Sequence, residues 1–158
     1  MSSVRDPFGD LLPLAPSLLN RVAVVTGGGT GIGRVICQAL ARQGAQVVLV
    51  GRRSDTLHET VEWLQSETGR ADVATAAQAD VTVQDDVERV MALVDSRYGR
   101  VDVLVNCAAI QGPIAPFIDV DIDAWARTIE TDLIGPARMA RVVFPYMARQ
   151  GSGCIVNL

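Results

Sequence analysis

Residues 26–33 read Thr-Gly-Gly-Gly-Thr-Gly-Ile-Gly. Glycine lets a chain turn tightly and brings its backbone close to a ligand, with no Cβ between them. The run follows a β-branched stretch, Arg21–Thr26, and opens a helical apolar pattern from Gly31. A loop placed between strand and helix aims the free N–H groups and the positive dipole end of the helix at an anionic group such as a diphosphate. Gly27, Thr30, Gly31, Ile32 and Gly33 are the candidates to cradle it, and Gly33 also lets helix and strand pack closely. A plain connecting loop is the alternative, and the strand–loop–helix context weighs against it. Other reactive side chains are sparse. The chain has Tyr98 and Tyr146, one histidine, His58, and no lysine. Cys37, Cys107 and Cys154 form no Cys-x-x-Cys pair and sit in no Cys/His cluster, so neither zinc nor a disulfide framework is expected. Free thiols suit a reducing, cytoplasmic setting. Cys37 and Cys154 read as core or strand filler, and His58 as a solvated helix residue.

The elements that would position these residues alternate. Strands are predicted at Arg21–Thr26, Gln46–Val50, Val73–Ala79, Val101–Val105 and Cys154–Leu158, mostly apolar runs that suit parallel strands covered on both faces. One helix starts at Gly31 with Ile32, Val35, Ile36, Ala39 and Leu40 as its stripe, and stops near Gly44. A second covers Ser54–Thr68, with Leu57, Val61 and Leu64 inward. A third starts near Thr82, read as its N-cap, with Asp85 and Asp86 in the first turn and Val87, Val90, Met91 and Val94 inward. A fourth spans Ile122–Arg149, kinked at Pro136, with Trp125, Ile129, Leu133, Met139 and Val143 on its inner face. Right-handed crossovers would wind this order into an α/β, Rossmann-type, doubly wound parallel sheet of about five strands. Residues 1–20 read as a tail or strap, and 21–158 as the binding domain. The chain has 158 residues, 49% of them hydrophobic, which fits one globular domain. Its net charge of -4 argues against nucleic acid as a partner. No apolar run has the length of a membrane span.

The pattern Thr-Gly-x-x-x-Gly-x-Gly at 26–33 resembles the cofactor fingerprint of the short-chain dehydrogenase/reductases, which bind NAD or NADP on a Rossmann fold. Asp80-Val81 is similar to the family's Asp after the third strand, which meets the adenine ring. Asn106-Cys107-Ala108-Ala109 resembles the Asn-Asn-Ala-Gly after the fourth strand, and Gly153–Asn157 resembles the fifth strand. Two alternatives stay open here: Asp80 as a cap on the following turn, and Asn106 as a residue that only holds the strand end. The second strand ends in Gly51-Arg52-Arg53 with no acid at its tip. An acid there would bond the ribose hydroxyls of NAD, whereas two guanidinium groups suit the 2′-phosphate of NADP. NADP is therefore expected over NAD, the alternatives being solvated charges or an arginine stacked on adenine.

The resemblance also implies what the chemistry needs. The family transfers hydride between nicotinamide and a carbonyl or carbinol carbon, using a Ser, a Tyr and a Lys four residues after the Tyr. With no lysine there is no Tyr-x-x-x-Lys among these residues. Asp132 stands where the family has a helical Asn; it could accept a relay hydrogen bond or merely be a polar residue at the kink. The chain is expected to be the cofactor-binding part of a longer NADP-preferring oxidoreductase, inactive alone and prone to aggregate or stay partly molten through an exposed sheet edge and uncovered apolar surface. A homo-oligomer through the fourth helix is a further expectation. The alternatives are a non-catalytic nucleotide-binding or protein-interaction module and, against the loop pattern, a flavodoxin-like binding module.

Overall fold

The computed structural model describes residues 17–158. Five parallel strands form one sheet in the order β3-β2-β1-β4-β5. They are β1 Val22–Thr26, β2 Gln46–Gly51, β3 Ala74–Gln78, β4 Val103–Asn106 and β5 Cys154–Asn157. The helices are α1 Gly31–Arg42, α2 Ser54–Thr68, α3 Gln84–Tyr98, α4 Ile122–Ile129 and α5 Gly135–Gln150. Alternate residues of the central strands serve opposite faces. Val24, Val48 and Leu104 pack with Val87, Val94, Met139 and Val143 of α3 and α5. Val25, Leu49 and Val105 pack with Cys37, Ala41, Leu57 and Leu64 of α1 and α2. Burial on both sides explains why the strand code is a continuous β-branched run rather than an alternation. The chain winds outward from β1 to β3, then crosses back so that β4 lies against the other side of β1. This reversal opens a crevice above the carboxyl ends of β1 and β4.

Several expectations need correction. Ile32 and Val35 are exposed, and the buried line of α1 is Gly33, Cys37 and Ala41. The helix lies so close to the sheet that small residues face inward, and the larger apolar side chains are displaced from that line. The third helix begins at Gln84 rather than at Thr82, because the Thr82 N–H and hydroxyl both donate to Asp80 Oδ1, at 2.9 and 2.7 Å. The single kinked helix of 122–149 is two helices joined by a π turn over Glu130–Ile134. Pro136 cannot donate to the carbonyl four residues back, so the register slips, and the proline falls in the first turn of α5, where a missing N–H costs little. Met139 and Val143 are buried as expected, but Trp125, Ile129 and Leu133 are exposed. Of the two readings of Cys154, core or strand filler, the strand holds: it opens β5 and is exposed. Of the expected tail, residues 1–16 lie outside the described residues. Leu18 donates its N–H to the Gln43 carbonyl at the end of α1, at 2.8 Å.

At the amino ends of the strands one carboxylate ties the start of β1 to the segment that leads into β4. Asp102 Oδ1 accepts from Arg21 and from Arg100, both at 2.7 Å. Its Oδ2 accepts from Arg100 Nε at 2.8 Å and from the Val22 N–H at 2.9 Å. Burial would raise this carboxyl, but the bonds from Arg100, Val22 and Arg21 and the Arg100 charge outweigh it and bring the pKa down to about 2. A folded pKa below the unfolded value near ~3.9 stabilises the native state above pH ~4, and that contribution is lost as pH falls toward 2. With half-exposed arginines as partners it is worth about 1–2 kcal/mol. Asp102→Asn should lower the melting temperature at pH 7 and narrow its difference from the unmodified chain between pH 4 and 2. A pH-independent difference in melting curves would refute this linkage.

Candidate functional site

The glycine loop is fixed by backbone contacts on three sides. The Gly27 N–H donates to the Val50 carbonyl at 2.8 Å, joining the loop to β2. Gly27 has φ +69°, and a Cβ there would meet the Cys107 carbonyl at 2.9 Å. A Cβ on Gly33 would run into the Gly27 carbonyl, so the first turn of α1 rests on the loop at main-chain distance. Thr26 is buried; its hydroxyl accepts the N–H groups of Cys107 and Ala108, both at 3.0 Å. Thr60 of α2 donates its hydroxyl to the Gly29 carbonyl at 3.0 Å. The loop after β1 is thus bound to the loop after β4 and to α2. Thr30 is the extended N-cap of α1, and its side chain makes no capping bond. The first-turn N–H groups have no carbonyl within the helix to receive them.

Above this loop lies a cleft of about 350 Å³. Gly27, Thr30, Ile32 and Gly33 line it, as do Arg52 and Arg53 beyond β2, Asp80 and Val81 beyond β3, and Ala108 beyond β4. Two expected residues stand apart from that lining. Gly31 takes φ +54° at the start of α1, with nothing within 4 Å of where a Cβ would be. Asn106 is buried beneath the cleft, donating to Asn157 Oδ1 at 2.9 Å and to the Pro136 carbonyl at 3.4 Å. These bonds make it a tie between β4, β5 and α5. Its own Oδ1 meets no partner among the described residues. Asp80 caps the following turn: Oδ1 accepts from Thr82, and Oδ2 lies 4.0 Å from Arg52. Its N–H is held by Asp86, whose carboxyl is kept below the usual range by that bond first and by its pairing with Arg89.

Sequence reading missed Gly29, Thr56, Leu57, Ala109, Ile110 and Thr131, which also line the cleft. It also missed the locking hydroxyls of Thr26 and Thr60. Thr26 could have been found, since a buried hydroxyl at a strand tip must have partners; Thr60 lies on a helix with no local signal. Asp132 Oδ1 accepts the Ile110 N–H at 2.9 Å, so in this structure it anchors the loop after β4. No tyrosine lines the cleft. Burial and then the Asp95 charge push the Tyr146 phenol up. Burial also raises Cys37 and Cys107, so neither is a ready thiolate beside the loop.

A diphosphate-bearing cofactor fits the residues present. The cradle is one a Cβ would fill, a helix N-terminus opens onto it, and two arginines border its far side. Among the described residues no helix is long and apolar enough to cross a membrane.

The family model described as short chain dehydrogenase matches residues 21–158. Cis-4-hydroxycyclohexanecarboxylate dehydrogenase of Sinomonas cyclohexanicum is 37% identical over 145 residues, covering 92% of this chain and 57% of that protein. L-sorbose reductase of Gluconobacter frateurii, solved with NADPH and L-sorbose, superposes with a TM-score of 0.83 at 31% identity, covering 91% of this chain and 54% of that one. An NAD+-bound xylitol dehydrogenase superposes with a TM-score of 0.84 at 29% identity, covering 89% and 53%. The chain thus spans a little over half the length of these proteins. A glycine loop seated main chain to main chain, a cleft at the strand reversal and a match from Arg21 onward agree: the chain belongs to the short-chain dehydrogenase/reductase family.

Proposed function

We propose that this chain is the cofactor-binding portion of an NADP-preferring oxidoreductase acting on an alcohol or a carbonyl compound. The observation that carries the reading is the cradle at Gly27–Gly33, open to the cleft and backed by the start of α1. Gly27, Thr30, Gly31, Ile32 and Gly33 would hold the diphosphate. Arg52 and Arg53 would take the 2′-phosphate, Asp80 and Val81 would border the adenine, and Ala108 would wall the cleft while Asn106 braces it from below. The bound dinucleotide would supply hydride chemistry at its nicotinamide. The similar proteins include one solved with NADPH and one with NAD+, so the preference rests on this chain's own arginines. The 158 residues hold no Tyr-x-x-x-Lys, and assayed as this chain alone they should bind without turnover. A cytoplasmic setting goes with the three free thiols.

The exposed apolar side chains of α4 and of the π turn that follows it support the oligomer reading. Trp125, Ile129 and Leu133 are 45%, 47% and 62% exposed, and Phe117 stands edge-on to Trp125 with ring centroids 6.2 Å apart. A second copy meeting this face would cover them.

Three outcomes are expected. Gly33→Ala should weaken dinucleotide binding at least tenfold by calorimetry while far-ultraviolet circular dichroism keeps the α/β signature; unchanged affinity would remove the cradle from the site. The double variant Arg52→Ala, Arg53→Ala should cost NADPH at least tenfold in affinity, at about 1.5–3 kcal/mol for each hydrogen bond to a charged group, and change NADH little. Tighter binding of NADH than of NADPH by the unmodified chain would overturn the preference. Trp125→Glu with Leu133→Glu should shift the sedimenting species to monomer, and an unmodified chain already monomeric at high concentration would end the α4 proposal.

A further inference from the structure

The opposite end of the sheet carries a second concavity, of about 540 Å³, below the amino ends of β1 and β2. Arg70, Arg97 and Arg100 line it together with Asn20, Tyr98 and Asp72. Three guanidinium groups around one hollow are unexpected in a chain whose net charge is -4. Their engagements differ. Arg100 is committed to Asp102. Arg70 donates to the Ala45 carbonyl at 3.3 Å and stands 3.8 Å from Asp72. Arg97 lies over the Tyr98 ring, 5.7 Å from its centroid, and has no carboxylate partner among the described residues. The Tyr98 hydroxyl is fixed on Thr75 at 2.7 Å, which holds the ring beneath Arg97. Of the carboxylates at this end, Asp102 answers Arg21 and Arg100 together, and Asp72 is shared between Arg70 and the Gln46 amide. Among the described residues the local balance of Arg21, Arg70, Arg97 and Arg100 against Asp72 and Asp102 is positive.

We propose that this hollow binds a phosphate group, with Arg97 as its principal contact and Arg70 as a flanking donor. A planar fork with spare N–H groups matches a tetrahedral oxyanion, and a doubly charged phosphate answers the local excess better than a monocarboxylate. The site stands at the far end of the sheet from the cofactor cleft, and the proposal does not depend on what that cleft binds.

The test titrates the ¹⁵N-labelled chain with inorganic phosphate and, separately, with glycerol 3-phosphate, at constant ionic strength. Saturable shifts at the amides of Arg97, Tyr98 and Arg100 are expected with either probe. Tighter binding of glycerol 3-phosphate would assign the site to a phosphorylated metabolite, and equal or tighter binding of inorganic phosphate to the free anion. Arg97→Ala should weaken binding at least fivefold, and Arg97→Lys should recover part of it, both with melting temperatures near that of the unmodified chain. Shifts confined to residues 26–33, equal shifts with chloride, or an Arg97→Ala chain that binds as well would overturn the proposal.

Discussion

Gly33 rests on the carbonyl of Gly27 with no room for a methyl group between them, and the form of the site follows from that contact. Bringing α1 down to main-chain distance from the loop fixes where its amino end points. It also decides which residues of α1 face the sheet. At this separation only small side chains fit, so Gly33, Cys37 and Ala41 are buried and Ile32 is turned toward the cleft mouth. One steric requirement thus sets the direction of the helix dipole and the composition of the cleft rim.

That contact holds only if the loop itself is held. Its supports come from elements distant in sequence: Val50 on β2, Thr60 on α2, and Cys107 and Ala108, which converge on the Thr26 hydroxyl. These bonds join the segments that diverge at the strand reversal, where no continuous ladder can link the loops. The cleft is therefore braced by a few hydrogen bonds among buried groups. In such surroundings each unpaired partner costs more than the bond contributes when made. At the other end of the sheet Asp102 does similar work with charge, tying Arg21, the start of β1 and Arg100.

What could be read from the residues alone follows the range of the forces involved. Strands buried on both faces announce themselves as apolar runs, and the glycine loop announces itself because its backbone needs are local. The second helix was legible to its ends, Ser54 and Thr68. Legibility failed where a distant partner decided. Periodicity put Ile32 and Val35 inside, but the closeness of helix and sheet put them outside. Thr82 has the chemistry of an N-cap, yet Asp80 captures it first. The tie from Asn106 to Asn157 crosses 51 positions and has no sequence signature.

The segment 122–150 shows how one covalent fact spreads through several levels. Pro136 has no N–H to offer, and the backbone answers with a π turn rather than a break. The turn moves Asp132 to where its carboxylate receives the Ile110 N–H, so a defect in helix bonding becomes the anchor of a loop lining the cleft. It also separates α5, which keeps Met139, Val143 and Met147 on the sheet, from α4, which buries none of its own residues. A straight helix would have carried one apolar stripe onto one surface. The interrupted one divides its apolar residues between the core and an outward face, and so a single chain segment both packs the domain and leaves apolar side chains exposed.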